Sequence, residues 1–314
     1  MRISECFELE TNDQSEFEFL NLMVDRDNLL FLDPTRMEAE KSYNVWSKKI
    51  NHFHRTIFQM YRDNKSDEAK EFFVNSRESN EIFLGYSVGA PGGTGNSKES
   101  LTAVYNYIAE KLLVEDGLID SPEDLMLFIP DFGRDHLSDF VASIIKHELV
   151  NFTIEQADKH KIDRKYQFDY HFWDAEINNW VQETAYVPLV KVEGEDKPLI
   201  LLPKQIVVRD YLIGPRQYLE KVVLVWRQQQ HRQKDSELHR RRHKDQESVS
   251  KRVIREEEVK DRAISVKEYI AEQTRNNKKL LDQERKRVIN AQLGTNPNMV
   301  NDEEWDAFFL GQEG

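Results

Sequence analysis

The sequence predicts an α+β fold, in which a body of mixed sheet and amphipathic helices precedes a long charged helical C-terminal arm. Apolar residues alternate with polar ones in several early segments, as they do in half-buried strands. Elsewhere they recur every three or four residues, which is typical of amphipathic helices. Glycine and proline are absent from 216–293, so this stretch is predicted to be helical. We therefore expect a globular body at 1–213, a basic helical arm at 214–293 and an acidic aromatic tail at 294–314.

The first half of the body is predicted to begin with two strands. The segments "CFELETNDQSEFEFLNLMV" and "NLLFLDPT" alternate apolar and polar residues, and Pro34 ends the second one. Residues 35–75 carry apolar and aromatic side chains at helical spacing, and 98–113 are predicted to form a further helix. Between these helices, "EIFLGYS" predicts a short strand that leads into a glycine-rich loop.

The second half of the body is predicted to contain more strand. "SPEDLMLFIP" has a helix-start signal at Ser121 and Pro122, but its "LMLFI" is equally typical of a strand, and we interpret it as a turn into a strand. Ser138 or Asp139 is expected to start an amphipathic helix that runs to about Lys161. "PLVKVEGEDKPLILLPKQIVV" predicts a hairpin turned by "EGED", with a buried second strand.

Charge is unevenly distributed along the chain, whose net charge is −13. Residues 1–200 carry a balance of −17, residues 201–300 carry +9 and residues 301–314 carry −5. Such asymmetry often marks an electrostatic partner. A basic arm on an acidic body can bind a polyanion, or it can fold back on its own body. The sign of the charge alone does not decide between these two possibilities.

The arm carries a stripe of positive side chains that could contact several phosphates, and each contact would steepen the salt dependence of binding. No sequence-reading motif accompanies the stripe, so we expect DNA binding to be non-specific and salt-sensitive. The alternative is a helix whose charges are solvated or paired with the acidic body. The predicted nucleic-acid-binding residues are Arg227, Arg232, Lys234, Arg240, Arg241, Arg242, Lys244, Lys251, Arg252 and Arg255.

Five glycines within 85–95 raise the question of a phosphate-binding loop. A P-loop has the pattern GxxxxGK[ST], whose lysine reaches the phosphates, but here Gly95 is followed by Asn96 and Ser97. The dinucleotide fingerprint GxGxxG is not supplied either. We expect a mobile surface loop or a contact to an anion such as a DNA phosphate, and we do not expect nucleotide hydrolysis.

A metal-dependent nuclease is the alternative hypothesis. Such enzymes hold Mg²⁺ with carboxylates on adjacent strands, while a lysine positions or activates water. Asp139, Glu195 and Lys204 could supply these catalytic groups, with Mg²⁺ as the cofactor, and no other cofactor is indicated. The competing interpretation makes Asp139 a helix N-cap.

Residues His231, Asp235, His239 and His243 are spaced four apart and would form one ladder on a single helix. Such a ladder could bind zinc or respond to pH. Arginines at 240–242 surround it and disfavour a metal ion, so the alternative is a solvated helix, and we predict no metal site here.

The tail segment "DEEWDAFF" places aromatic side chains among acidic ones. This composition is typical of a short segment that docks into a partner's groove or back onto the chain's own basic arm. An unstructured end is the alternative. The predicted partner-binding residues are Trp305, Phe308 and Phe309.

The cellular compartment is indicated by three features. Cys6 is the one cysteine, which rules out an internal disulfide. "MRISECFELETNDQ" turns acidic where the apolar part of a secretory signal would lie. Since no apolar run is long enough to span a membrane, we expect a cytoplasmic protein without membrane insertion.

Four motifs, "FLDPTR", "LGYSVGAPGGTG", "GRDHLSDFVASII" and "LILLPKQIVV", resemble a poorly characterised bacterial family associated with gene clusters for defence against phages. The resemblance spans roughly 30–210 and implies a cytoplasmic bacterial protein that acts beside partner proteins, with no catalytic residue implied. We expect a non-catalytic, homo-oligomeric component of an antiviral defence complex that binds DNA, another protein of the system, or both. A magnesium-dependent nuclease of the same kind of system and a structural oligomer-forming subunit are the alternatives.

Overall fold

The computed structural model describes residues 1–26, 28–76, 79–84, 96–242, 246–293 and 300–311. The predicted α+β fold is confirmed, because most of the regular structure is helical and two small antiparallel sheets accompany the helices in this part of the chain. The helical C-terminal region is also confirmed.

The chain forms two compact units whose boundaries differ from the predicted division. The break after Tyr211 lies near the predicted end of the body at residue 213, but residues 106–132 belong with the helices of the predicted arm. They include a helix, Pro122–Phe128, whose residues are all buried, so its apolar side chains need cover from other helices. The first unit comprises Met1–Tyr105, Gly133–Tyr211 and Thr295–Gly314, and the second unit comprises Asn106–Phe132 and Leu212–Gly294.

Helices provide most of the regular structure in the described residues. Short 3₁₀ turns lie at Gln14–Glu16, Phe73–Asn75, Asn80–Ile82 and Lys204–Ile206. In chain order the helices are α1 (Ile3–Cys6), α2 (Pro34–Ala39), α3 (Asn44–Arg62), α4 (Ser66–Phe72), α5 (Lys98–Glu110), α6 (Pro122–Phe128), α7 (Arg134–Ile144), α8 (Lys146–Lys159), α9 (Pro215–Tyr218), α10 (Leu224–Gln233), α11 (Glu237–Arg240), α12 (Lys251–Arg255), α13 (Val266–Asn276), α14 (Lys279–Leu293) and α15 (Asp302–Leu310).

The strands of the two sheets lie in the first unit. The first sheet pairs β1 with β5, and the second is a long β2–β3 hairpin extended by β4, all antiparallel. The turn predicted at "EGED" is confirmed, since Gly194 joins β3 to β4 with a φ of +88°, a conformation that glycine adopts without strain. The strands are β1 (Phe31–Leu32), β2 (Arg164–Asp174), β3 (Asn179–Val192), β4 (Glu195–Pro198) and β5 (Val207–Val208).

Aromatic side chains of the hairpin help to form the core of the first unit. Trp173, at the end of β2, is fully buried, and its ring centroid lies 5.0 Å from that of Phe53 on α3. Phe53 in turn lies 5.6 Å from Phe140 on α7. The helical stripe predicted for 35–75 is therefore the buried face of α3.

The N-terminal segment is irregular, and the first predicted strand was wrong. Its apolar residues, such as Phe19, are buried, but isolated antiparallel bridges such as that between Phe19 and Pro203, together with side-chain amides, take the place of a continuous strand pairing. The side-chain amide of Gln14 accepts a hydrogen bond from the backbone N–H of Asn21 at 2.9 Å and donates one to the backbone carbonyl of Phe19 at 2.8 Å. The Asn21 side chain accepts from the Ser4 amide at 2.9 Å. Buried backbone groups are satisfied in this way without a ladder.

Two further predictions for the body were wrong at the level of single elements. "SPEDLMLFIP" forms α6 because Ser121 and Asp124 close a capping box at its first turn. Helix α7 begins after Gly133, earlier than predicted, so Asp139 lies inside the helix and is not its N-cap. The predicted helix to about Lys161 is divided into α7 and α8 at Ile145.

The second unit is helical throughout its regular structure in the described residues. Two π turns, Leu219–Val223 and Glu256–Lys260, continue α9 and α12. Buried polar contacts join its segments, including a 2.8 Å hydrogen bond between the hydroxyls of Tyr218 and Thr274. Among the described residues of the whole chain, no helix combines the length and apolar content that crossing a membrane requires.

Candidate functional site

Within the acidic aromatic tail, residues Asp302–Leu310 form a helix, α15. Asn301 caps it by accepting a hydrogen bond from the Glu304 amide at 2.8 Å, while the Glu304 carboxylate accepts from the Asn301 amide at 3.0 Å. Asp302, Glu303 and Glu304 stand in the first turn, where negative charge is favourable for the helix dipole. The sequence therefore forms a helix locally.

One face of α15 is buried against the first unit, to which it belongs. Trp305 and Phe309 are 1% and 0% exposed, and they stand four residues apart on one side of the helix. Phe308 is half-buried beside them, with its ring centroid 5.2 Å from that of Phe309. The tail helix packs on the N-terminal region and on the segment after β4, which both lie in the first unit, whereas a partner's groove or the chain's own basic arm is expected from the sequence.

Two carboxylates of α15 anchor it to cations of the first unit. Asp302 lies 2.7 Å from the ammonium of Lys204, and Asp306 lies 2.6 Å from the guanidinium of Arg2. The second oxygen of Asp306 accepts a hydrogen bond from the Gln14 amide at 3.1 Å. Both oxygens of Asp306 are therefore engaged, which fixes the helix in register.

Two arginines also contact the backbone and the rings of α15. Arg2, only 4% exposed, donates to the carbonyl of Asp306 at 3.1 Å, and its guanidinium carbon lies 5.6 Å from the Phe309 ring centroid. Arg209 donates to the Glu304 carbonyl at 2.9 Å and lies 4.7 Å from the Phe308 ring centroid. At such distances a cation is attracted to the ring face.

We call the surface formed by Arg2, Gln14, Lys204 and Arg209 the tail groove. A pocket of about 240 Å³ lies beside it, between α15 and residues around α2 and β5. Polar side chains of both signs line this pocket. The lining residues are Arg36, Glu40, Lys204, Gln205, Val207, Val300, Asn301, Asp302 and Trp305.

The predicted nucleic-acid stripe is largely engaged by the second unit itself. Carboxylates pair with four of its arginines: Arg227 with Glu258 at 2.7 Å, Arg232 with Glu247 at 3.7 Å, Arg241 with Glu257 at 2.8 Å and Arg255 with Glu220 at 2.8 Å. Arg242 and Lys251 donate to backbone carbonyls. Exposed cations remain at Lys234, Arg240 and Arg252, while Lys244 lies outside the described residues.

A polar network in the second unit surrounds Glu258. Burial works against its charged form, but hydrogen bonds from Arg227 and Tyr269 outweigh this and lower the pKa of Glu258. His231 lies 2.7 Å from the same carboxylate and 2.7 Å from the Ser236 hydroxyl. The four-residue spacing does not place these residues on one helix, because α10 ends at Gln233 and α11 starts only at Glu237. His243 lies outside the described residues.

The three predicted catalytic residues are placed on different elements. Asp139 lies within α7, Glu195 is exposed at the start of β4, and Lys204 is paired with Asp302 of α15. In the part of the chain that the structure describes, no three His, Cys, Asp or Glu side chains lie together so that they could hold a metal ion. The glycine-rich loop at 85–95 lies outside the described residues.

The aromatic side chains of the tail can be predicted from the sequence, but most of the groove against which they pack cannot. Lys204 is predicted as a catalytic residue, and Arg2, Gln14 and Arg209 carry no local signal in the sequence. The acidic tip was visible in the charge distribution, but a single sequence does not show which distant cations meet it.

Comparison with known proteins gives one match. A family model described as Domain of unknown function (DUF8370) matches residues 8–214, which is more than half of the chain. No curated protein and no solved structure gives a significant match. The matched region includes Gln14, Lys204 and Arg209 but neither Arg2 nor α15.

Proposed function

The chain belongs to the family described as Domain of unknown function (DUF8370), and from the geometry of its tail groove we propose that it is a non-catalytic component that binds a protein partner. The groove recognises a short helical segment that carries two carboxylates and two aromatic side chains in the arrangement of α15. The observation that carries this proposal is the docking of Trp305 and Phe309 beside the ion pair of Asp306 with buried Arg2.

The extent of the family match supports this proposal. The matched region supplies three of the four residues that define the groove, whereas the helix that occupies the groove lies beyond residue 214. This arrangement is expected of a binding domain that is joined to a segment of the same chain, where that segment occupies the groove and competes with an external partner. Helix-in-groove recognition, with apolar anchors at i and i+4, is a recurring mode of peptide binding.

The chemistry of the groove also suits protein recognition. Buried aromatic and arginine side chains provide most of the energy at protein interfaces, and Arg2 of the groove and Trp305 and Phe309 of the docked α15 are of these types. A tethered segment competes at an effective concentration on the order of millimolar. An external partner must therefore bind more tightly than α15, or α15 must first leave the groove.

The other expected functions have less support. Four arginines of the arm are already paired with carboxylates, which leaves fewer cations for phosphates. DNA binding therefore stays a prediction. The nuclease hypothesis lacks a group of metal-binding side chains in the described residues. The family description names no role in phage defence, so that association also stays a prediction.

Peptide binding to the groove tests the proposed function. The protein is the full chain with Trp305→Ala and Phe309→Ala, which empties the groove without changing Arg2, Gln14, Lys204 or Arg209. The probe is a fluorescein-labelled peptide of residues 300–311, and the readout is fluorescence anisotropy. We expect the peptide to bind this variant at least tenfold more tightly than it binds the wild-type chain, where α15 competes.

The matched control is the same peptide with Trp305→Ala and Phe309→Ala, which keeps the charges and should not bind. Circular dichroism of the variant protein shows whether the rest of the fold is intact. If a folded variant fails to bind the unmodified peptide, the groove is not a recognition site and the proposed function is wrong.

A further inference from the structure

We propose that one face of α3 forms a binding site for the phosphate group of a small phosphorylated molecule. A cavity of about 580 Å³ opens on this face, and this volume is within the range of pockets that hold small molecules. None of its described lining residues belongs to the tail groove, so the inference goes beyond the proposed function. These residues all lie on α3 and are Lys48, Asn51, His52, Arg55, Thr56 and Gln59.

The spacing of the lining residues places them on one side of the helix, since side chains three or four positions apart are neighbours on a helix surface. The opposite side of α3 carries the fully buried Phe53 and Ile57. All the described lining side chains are polar, and two of them, Lys48 and Arg55, are cations, while none is acidic. A concave surface lined by charge of one sign concentrates ions of the opposite sign, so this one should attract anions.

Lys48 is exposed and has no carboxylate partner among the described residues. The adjacent Lys49, by contrast, is paired with Glu148 of α8. The ammonium of Lys48 is therefore available to an external anion, and Arg55, two turns later, adds a guanidinium whose planar donors suit phosphate. The positions three and four residues from Lys48 on the helix carry no acidic residue, and they are Asn44, Val45, Asn51 and His52.

His52 presents a hydrogen-bond donor that a tryptophan of the β2–β3 hairpin fixes in place. The indole Nε1 of Trp173 lies 3.2 Å from the Nδ1 of His52. An indole nitrogen can only donate, so Nδ1 accepts this hydrogen bond and the neutral imidazole carries its proton on Nε2. No described residue accepts a hydrogen bond from Nε2. Because Trp173 is fully buried, it holds the imidazole in position, and the Nε2–H is the donor that His52 offers to the cavity.

The amide of Asn51 is a further donor beside His52. Its Oδ1 is buried and has no hydrogen-bond partner in the described part of the chain. No hydrogen bond of this oxygen therefore holds the amide in its present orientation, and the NH₂ group can turn towards a bound anion. At the other end of the cavity, Gln59 donates to the carboxylate of Asp63 at 2.9 Å. This negative charge disfavours an anion, so we expect the phosphate near Lys48 and His52.

Phosphate fits these donors better than a carboxylate does. The ammonium of Lys48, the imidazole N–H of His52 and the guanidinium of Arg55 follow one another along two turns of α3. A phosphate group offers three acceptor oxygens to such a row, whereas a carboxylate offers two. Thr56 and Gln59 line the rest of the cavity and provide polar contacts for the hydroxyl groups of a small molecule.

Isothermal titration calorimetry with the full chain tests the site. The probes are inorganic pyrophosphate and ribose 5-phosphate in metal-free buffer, and ribose is the uncharged control. We expect both phosphate probes, but not ribose, to bind the wild-type chain. Hydrogen bonds from charged donors are lost in the double variant Lys48→Gln with Arg55→Gln, so its affinity for both probes should fall by about tenfold or more.

Lys191→Gln is the matched control, because Lys191 is exposed on β3 of the same unit and does not line the cavity. This variant should bind both probes as the wild type does. Lys48 and Arg55 are exposed, so the double variant should fold, which circular dichroism verifies. The single variant Lys48→Gln gives a second measurement and should also weaken binding.

Two results would overturn the proposal: no binding of either phosphate probe at millimolar concentration, or equal affinity in the wild type and the double variant. A short DNA duplex is the third titrant. If the duplex binds and loses affinity in the double variant while neither small probe binds, this face of α3 contacts a nucleic-acid backbone and the small-molecule site is wrong. Peptide binding to the tail groove is measured separately, so failure of one proposal leaves the other standing.

Discussion

The guanidinium of Arg2 and the carboxylate of Asp306 form an ion pair at 2.6 Å, although 304 positions separate the two residues in the chain. Arg2 is almost fully buried, while Asp306 keeps about a quarter of its side-chain surface exposed. The pair joins the N-terminal region to α15 within the first unit, and it is the most deeply buried charged contact of the tail groove.

Asp306→Asn should destabilise the docked helix, because it replaces the carboxylate that pairs with the buried guanidinium of Arg2 by a neutral amide. We expect a loss of about 2 kcal/mol in the free energy of docking, below the usual cost of breaking a fully buried pair because Asp306 is partly solvated. Urea denaturation followed by tryptophan fluorescence measures the loss. Glu303→Gln, at an exposed position of the same helix, is the matched control. Equal midpoints for the two variants would contradict the importance of the pair.

Phe309→Ala should release α15 from the groove, whereas Leu310→Ala should not. Phe309 is 0% exposed and Leu310 is 60% exposed. Truncation of a buried phenylalanine typically costs about 3 kcal/mol or more, while surface changes remain within about 0.5 kcal/mol. Hydrogen exchange with mass spectrometry should show faster exchange of the α15 amides in the first variant alone. Equal protection in both variants would show that the aromatic anchor is not required.

Glu258→Gln should destabilise the second unit, because Arg227, His231 and Tyr269 all converge on this carboxylate. The neutral amide leaves the Arg227 cation without its partner, and we expect a cost of about 3 kcal/mol. Thermal unfolding followed by circular dichroism measures it. The comparison variant is Glu237→Gln. The side chain of Glu237 is 81% exposed and its carboxylate lies 3.9 Å from Arg241, so this ion pair is long and solvated. A similar melting temperature for both variants would contradict the structural role of the network.

Removal of the carboxylates that pair with the arm should increase its affinity for DNA. Glu220→Gln, Glu247→Gln and Glu257→Gln together remove the nearest carboxylates of Arg255, Arg232 and Arg241. If these arginines then contact phosphates, the slope of log affinity against log salt should steepen by roughly one for each. Titration of a short duplex at several salt concentrations gives the slope. No change in slope or affinity would show that the arm does not meet DNA even when its cations are free.

The stability of the first unit should fall as the pH drops from about 6.5 towards 3, because of His54. Burial lowers the pKa of His54 to about 3, from an ordinary value of 6.5, and its Nδ1 is hydrogen-bonded to the Tyr105 hydroxyl at 2.8 Å. In this window the unfolded chain binds a proton that the folded chain does not, so protonation favours unfolding. Urea midpoints between pH 7 and pH 4 should fall less steeply for His54→Gln. An identical pH dependence in that variant would exclude His54 as a cause.

Elements with a regular apolar period could be predicted from the sequence. The stripe of α3 that includes Phe53 faces the core, and along β2 the residues Tyr170 and Phe172 are buried while Asp169 and His171 are exposed. In both elements the periodicity directly reflects which side chains leave water.

Irregular and long-range features could not be predicted in this way. The N-terminal segment alternates like a strand, but Gln14 and Asn21 satisfy its backbone through side-chain amides, which no period reveals. The aromatic side chains of the tail can be identified in the sequence. The surface against which they pack depends on Arg2 and Arg209, which have no local pattern around them. Contacts between residues some 300 positions apart depend on the whole fold, which cannot be derived from the pattern of neighbouring residues.

The placement of residues 106–132 in the second unit has a practical consequence for anyone who expresses part of this protein. A fragment cut at residue 214, where the family match ends, would retain α6 but lack α9 and α13, the helices that cover it. Phe128, whose ring centroid lies 6.4 Å from that of Tyr218 on α9, would then lose this cover, and newly exposed apolar side chains promote aggregation. Poor recovery of that fragment would therefore say nothing about how well the complete protein folds.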